Sequence, residues 1–257
     1  MPSMTASLRP VILATIAAAG AIACGGTEDG PDPTPTFADG LAAEQIMEKA
    51  NEAGESVESL RVVQTEESKF LGEESRSKTE TILVGEDVYM KITDEDGASE
   101  LLQYRGRTYT RASEGDPWVP DPDLEGVTAA VSAAREFASE ALIDPSFDLV
   151  RLPGETADGQ EYYRVSAGLA TRLEGDVVLE PFSDLIDISK RLPEQLIPDE
   201  AAVRLDFWIA VDDFNLHRWS LESTLYRDGE ATFSSRRSAQ ASDFNEPLDL
   251  PGPLPQG

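Results

Sequence analysis

The sequence predicts an α+β domain, with an antiparallel sheet packed against about three helices. Two observations carry that expectation. Apolar residues recur at helical spacing in three separate blocks, and between the blocks they alternate with polar residues at period two. The period-two segments come in runs joined by Gly and Asp turn signals, as in a meander. Parallel βα units would instead alternate strand and helix one by one.

The elements follow in order. Leu41, Ile46, Met47, Ala50, Ala53 and Val57 fall near helical spacing between Asp39 and Ser59, with Asp39 as the expected N-cap and Gly54 weakening the final turns. Leu60 to Thr65 reads as a first strand and Thr79 to Val84 as a second, with Ile82 and Val84 on one face. After the turn Gly85-Glu86-Asp87, Val88, Met90 and Ile92 alternate with Tyr89, Lys91 and Thr93. Asp94-Glu95-Asp96-Gly97 is a further turn, and Glu100 to Arg105 pairs with Arg107 to Arg111 around Gly106. From Gly126 the period is helical again, through Val127, Ala130, Val131, Ala134, Phe137, Ala138 and Ala141, and Pro145 ends it.

Phe147 to Leu152 and Glu161 to Ala167 are strands on either side of Ala157-Asp158-Gly159, and Ser183 to Leu196 is a third helix limited by Pro193. The clearest strand has Val203, Leu205, Phe207, Ile209 and Val211 on one side, with Arg204, Asp206 and Trp208 on the other. Leu216 to Tyr226 and Glu230 to Ala241 complete the sheet. The tail from Glu246 to Gly257 holds four prolines and reads as a terminal strand with an irregular end.

Composition excludes several functions. Acidic residues number 49 against 21 basic ones, a net charge of −28, so no basic footprint exists for nucleic acid. Such a body is repelled by anionic headgroups, and membrane contact must come from elsewhere. Residues 25–40, GGTEDGPDPTPTFADG, read as a flexible tether, with prolines favouring extended conformers of about 3.1 Å per residue.

The leader supplies the membrane contact. Met1 to Arg9 carries one basic residue, Val11 to Ala19 is apolar, and Ala21-Ile22-Ala23 precede Cys24, the only cysteine. This order describes a signal peptide and not a spanning helix. The small-x-small-Cys ending resembles the bacterial lipobox. That resemblance implies that residues 1–23 are removed and that Cys24 carries a diacylglyceryl group, whose two chains suffice for stable anchoring. The other readings are an ordinary secretory peptide cut after Ala23 and an uncleaved anchor. A single cysteine forms no intrachain disulfide.

The folded part resembles a known family. The residues that carry the likeness are Val57-Glu58-Ser59-Leu60-Arg61-Val62, Thr156-Ala157-Asp158-Gly159-Gln160-Glu161-Tyr162-Tyr163-Arg164, Phe207-Trp208-Ile209-Ala210-Val211-Asp212 and Asp243-Phe244-Asn245-Glu246-Pro247-Leu248. With the lipobox, they resemble the LppX/LprA/LprF/LprG lipoproteins of the LolA-like superfamily, from about residue 40 to 254. Ala210 and Asp213 depart from the family's strand ending. The resemblance implies one domain over 41–254, a curved antiparallel half-barrel with about three helices in its concave face. It also implies an apolar cavity between them for the acyl chains of a lipid or lipoglycan, and a carrier role in the cell envelope. The residues expected to face inward by parity are Val62, Ile82, Val88, Met90, Ile92, Leu102, Tyr104, Phe137, Val165, Leu205, Phe207 and Ile209.

Catalytic signatures are missing. The only histidine, His217, lies between Leu216 and Arg218 on a strand, and no Gly-x-Ser-x-Gly elbow or phosphate-binding Gly-Lys-Ser/Thr loop occurs. One histidine and a committed cysteine build no zinc site. Asp94-Glu95-Asp96-Gly97 fails as a calcium loop, because the EF-hand register puts Ile92 and Gln103 at ligand positions. The expectation is therefore a monomeric, non-enzymatic lipoprotein on the outer face of the cytoplasmic membrane. It needs no cofactor, metal or nucleic acid, and it binds or transfers a lipid. The alternative is an envelope sensor or protein-interaction module whose core is filled by its own side chains.

Overall fold

The computed structural model describes residues 40–70, 72–121, 148–172 and 198–251. The leader, Cys24, the tether and the helices expected over 126–141 and 183–196 lie outside the described residues. Among the described residues there is one helix, α1 (Ala43–Glu55). The strands are β1 (Ser59–Phe70), β2 (Glu73–Val84), β3 (Asp87–Asp94), β4 (Gly97–Tyr104), β5 (Arg107–Arg111), β6 (Val119–Pro120), β7 (Asp148–Ala157), β8 (Gln160–Arg172), β9 (Glu200–Ala210), β10 (Leu216–Arg227) and β11 (Glu230–Ser242). They form one curved, unclosed antiparallel sheet in the order β6-β5-β4-β3-β2-β1-β11-β10-β9-β8-β7. Two meanders, β1 to β6 and β7 to β11, are thus zipped together by the β1–β11 pair, from Arg61↔Ser242 to Phe70↔Phe233.

Helix α1 is shorter at both ends than its apolar spacing suggests. It starts after Ala42, whose backbone N–H donates to Gln45 Oε1 at 2.9 Å, so a side chain inside the first turn does the work expected of Asp39. Ser56 closes the other end by donating its hydroxyl to the Ala53 carbonyl at 2.7 Å. Ala43, Ile46, Met47 and Ala50 are buried at i, i+3, i+4 and i+7, and this stripe lies on the β7–β8 side of the sheet.

The first hairpin is much longer than its apolar alternation. β1 and β2 run on together from Thr65↔Lys78 to Phe70↔Glu73, through residues that, Phe70 apart, are polar on both faces. Charges support the pairing where apolar side chains do not. Glu67 pairs with Arg76 and Lys69 with Glu74, each at 3.2 Å across the two strands. Exposed cross-strand pairs of this kind contribute at most about 1 kcal/mol each. The row continues in register as Arg76, Glu67, Arg236, Glu222 and Arg204 over β2, β1, β11, β10 and β9, with the sign alternating at each step.

The turns at Arg105-Gly106, Asp158-Gly159 and Asp228-Gly229 have both central residues at positive φ, which suits the right-handed twist of tight hairpins. The acidic turn after β3 is held by Asp94, whose Oδ1 accepts from the Asp96 and Gly97 N–H groups at 2.9 and 3.1 Å.

The tail differs from expectation. Among the described residues no strand follows β11, because Asp243 and Asn245 take positive φ and Pro247 cannot donate to a ladder. The segment is instead a strap tied to the start of β1. Asn245 Oδ1 accepts from the Glu58 N–H at 2.8 Å, Ser59 Oγ donates to the Glu246 carbonyl at 2.7 Å, and Asp243 accepts from Arg61 Nε at 3.1 Å.

Candidate functional site

Strand register sorts the side chains onto two faces, since directly paired residues point the same way. The face that bears α1 follows the chain of partners Val165↔Phe207↔Trp219↔Ala239↔Gln64↔Thr79↔Ile92. Val62, Val88, Met90, Leu205 and Ile209 share it. The expected inward residues on this face therefore fall into two groups. Val165, Leu205, Phe207 and Ile209 are clustered with Ile46 and Met47 of α1 and are at most 1% exposed. They form a packed cluster with the helix. Val62 and Ile92 are half-buried, as is Leu101, which pairs with Met90 on β4. These form the accessible apolar part of the face.

Ile82, Leu102 and Tyr104 are corrections. Register pairs Ile82 with Tyr89, and Leu102 with Tyr89 and Tyr109, which puts them on the other face. Tyr104 pairs with Arg107 beside them. The cause is turn parity. Gly85-Glu86 and the turn before Gly97 are two-residue connections, so Val84 pairs with Asp87 and Asp94 with Gly97. An even-numbered residue on one strand then shares its face with an odd-numbered one on the next. Phe137 and Cys24 lie outside the described residues.

The opposite face has a small core of its own. Ile82, Tyr89, Leu102 and Tyr109 are buried, with Trp118 and the strap residues Leu248 and Leu250 packed over them. Within this core Arg111 Nε donates to Glu100 Oε2 at 2.6 Å, and the two side chains are 0% and 1% exposed. Lys91 Nζ is 3.7 Å from Glu100. The Arg111 guanidinium stacks 4.4 Å from the Trp118 ring, and Tyr89 meets that ring edge-on at 6.5 Å. Burial, then the Glu100 charge, pushes the Tyr89 phenol well above its usual range, so it stays protonated.

A second polar cluster sits on the same face at β7–β10. Trp208 Nε1 donates to Glu155 Oε2 and Arg218 Nη2 to Glu155 Oε1, both at 2.7 Å, while Arg218 lies 4.3 Å from the Trp208 ring. Burial acts to raise the Glu155 pKa, but these two hydrogen bonds and the Arg218 charge prevail and hold it below its ordinary value. His217 is wedged between Tyr162 and Phe244, and burial lowers its pKa despite Asp213 and Asp212 nearby.

Both shifts have one sign for stability. The unfolded chain takes up protons more readily than the fold, so stability falls as pH drops below about 6.5 through His217 and again below about 4.5 through Glu155. Urea midpoints from pH 8 to 3 should show both losses, and His217→Asn should remove the first.

Sequence reading missed a polar belt on the helix-bearing face. The partners Ser75↔Ser68↔Ser235↔Ser223 form one row across β2, β1, β11 and β10. Beside it, the next row has Ser77, Glu66, Arg237 and Leu221. Arg237 Nη2 donates to Glu66 Oε2 at 3.0 Å, with side chains 9% and 31% exposed. A groove of about 340 Å³ at these strands is lined by those serines and, from the opposite face, by Glu67, Lys69, Glu74, Arg76, Glu222, Thr224, Ser234 and Arg236. Its lining is polar throughout, so it is no container for hydrocarbon. The signal that could have found the belt was the charge pattern of residues 66–78, which pairs in register from Glu66↔Ser77 to Phe70↔Glu73. No group of three or more metal-ligating side chains occurs among the described residues.

The described strands thus form a single curved, unclosed antiparallel sheet with α1 on one face. Among solved structures, the chain is similar to LprF from Mycobacterium bovis, with 15% identity, a TM-score of 0.48 and coverage of 83% of this chain and 97% of that one. It is similar to lipoprotein LppX from Mycobacterium tuberculosis, with 14% identity, a TM-score of 0.47 and coverage of 80% and 97%. It is also similar to a LolA superfamily protein from Nitrosomonas europaea, with 14% identity, a TM-score of 0.30 and coverage of 82% and 96%. No protein-family model matches the sequence, and no curated protein does either.

Proposed function

We propose that this chain is a non-enzymatic envelope lipoprotein that binds an amphiphile on its helix-bearing face. Cys24 is the lipid anchor at the outer face of the cytoplasmic membrane, residues 24–40 are the tether, and residues 41–254 are one binding domain. The observation that carries the reading is the half-buried apolar surface of Val62, Ile92 and Leu101, beside buried Val88 and Met90, on the face whose other half is covered by α1. An acyl chain laid on such a surface gains about 0.8 kcal/mol per methylene removed from water. The packed core beneath α1 favours a second reading, in which the domain is filled and engages a protein partner instead. Native mass spectrometry of the full chain carrying Cys24→Ser, purified from membrane-containing cells, separates them. The first reading expects a bound lipid mass, and the second expects the bare polypeptide.

A further inference from the structure

The polar cluster on the opposite face of β7 to β10 is short of acceptors. Register sets Leu152↔Arg164↔Trp208↔Arg218 in one row. Both guanidiniums lie over the Trp208 ring, Arg164 at 5.3 Å and Arg218 at 4.3 Å. One carboxylate, Glu155, faces them, and its two oxygens already accept from Trp208 and Arg218 at 2.7 Å. Arg164 is left 3.8 Å from Glu155, too far for a hydrogen bond, and its buried Nε has no hydrogen-bond partner. Leaving such a donor unsatisfied is costly. The Arg164 side chain is still 29% exposed, so a carboxylate arriving from outside can reach the guanidinium and supply the missing acceptor. Apolar surface adjoins it on the same face, as half-buried Leu152 and, two residues before it on β7, Val150, which is 51% exposed.

We propose that the chain's own tether occupies this site: residues 28–39, outside the described residues, dock across β7 with the Asp32 carboxylate on Arg164 and the Phe37 ring on Val150 and Leu152. The segment carries Glu28, Asp29, Asp32 and Asp39 with no basic residue, and Phe37 is its one large apolar side chain. In a chain of net charge −28, it meets here two arginines against one carboxylate. The route is short. Arg151 Nη1 donates to the Leu41 carbonyl, which brings the start of α1 over β7, the last strand of the sheet. Gly40 has a φ of 68°, so the chain can turn there. Arg151 and Leu152 are successive residues on opposite faces, and the segment has only to round the β7 edge. Asp32 is eight residues before Gly40, roughly 26 Å of extended chain, while Arg164 lies one strand in from that edge, at a spacing of about 4.8 Å. Pro31, Pro33 and Pro35 favour extended conformers, which lowers the entropy lost on docking. Docking is independent of amphiphile binding. With Cys24 as the proposed anchor, it takes residues 32–39 out of the span between body and membrane and holds the binding face nearer the bilayer.

The test places a nitroxide on the tether and reads the three tryptophans by nuclear magnetic resonance. Thr36→Cys in the full Cys24→Ser chain leaves a single thiol for the label. The indole N–H signals report separate places: Trp208 in the site, Trp219 on the helix-bearing face and Trp118 over the small core at the far strands. The Trp208 signal should be broadened several-fold more than the other two, and reducing the nitroxide should restore it. Glu28→Gln, Asp29→Asn and Asp32→Asn together, which leave every described residue unchanged, should abolish that difference, as should Arg164→Gln. Equal broadening of the three indoles, or a Trp208 effect that survives either set of substitutions, would overturn the tether assignment. So would a Trp208 signal that ignores the label yet shifts with added inorganic phosphate, which would give the site to an external anion.

Discussion

Arg111→Met is expected to destabilise the fold by about 3–5 kcal/mol, the usual cost of leaving one partner of a buried ion pair uncompensated. Glu100 is 1% exposed at its side chain, and its remaining cationic neighbour, Lys91, is 3.7 Å away and shared with Glu114. The loss spreads, because the Arg111 guanidinium also supports Trp118, which covers Tyr89. Removing both charges with Glu100→Leu and Arg111→Met should cost much less, since no charge is then stranded. Urea unfolding of the two variants measures the difference. A single variant as stable as the double one would mean that the pair is not the organising contact of this small core.

Phe207→Ala carries a similar cost, about 3–5 kcal/mol, for a different reason. Phe207 is 0% exposed in the cluster that includes Ile46 and Met47, so truncation leaves a cavity beneath α1. The backbone of β9 is held by ladders to β8 and β10 on both sides and has little freedom to collapse into the space. Loss of stability should therefore come with faster amide exchange in α1, while the Ile82 and Leu102 cluster on the opposite face keeps its protection.

Where apolar periodicity was strong, the fold could be read directly. The alternation Val203, Leu205, Phe207, Ile209 became the buried face of β9, and the Ile46, Met47, Ala50 stripe became the buried face of α1. Two things were hidden. Parity does not pass through a two-residue turn unchanged, so Ile82, Leu102 and Tyr104 were assigned to the wrong side of Gly85-Glu86 and its successor. The polar half of the β1–β2 hairpin also carried no apolar period, since Ser68 and Ser75 stand where a filled core would have Val or Leu. The buried Glu100 and Arg111 looked like surface residues for the same reason. Residue type alone does not reveal that two opposite charges meet across β4 and β5.

The central claim is that an amphiphile occupies the helix-bearing face, and paired charge insertions on β3 test it most directly. Ile92 points to that face and Thr93 to the other, on the same strand. The account predicts that native mass spectra of the Cys24→Ser chain carry a lipid mass that Ile92→Glu abolishes and Thr93→Glu retains, with circular dichroism unchanged in both. A bare polypeptide from the unsubstituted face, or a lipid mass indifferent to Ile92→Glu, would contradict it.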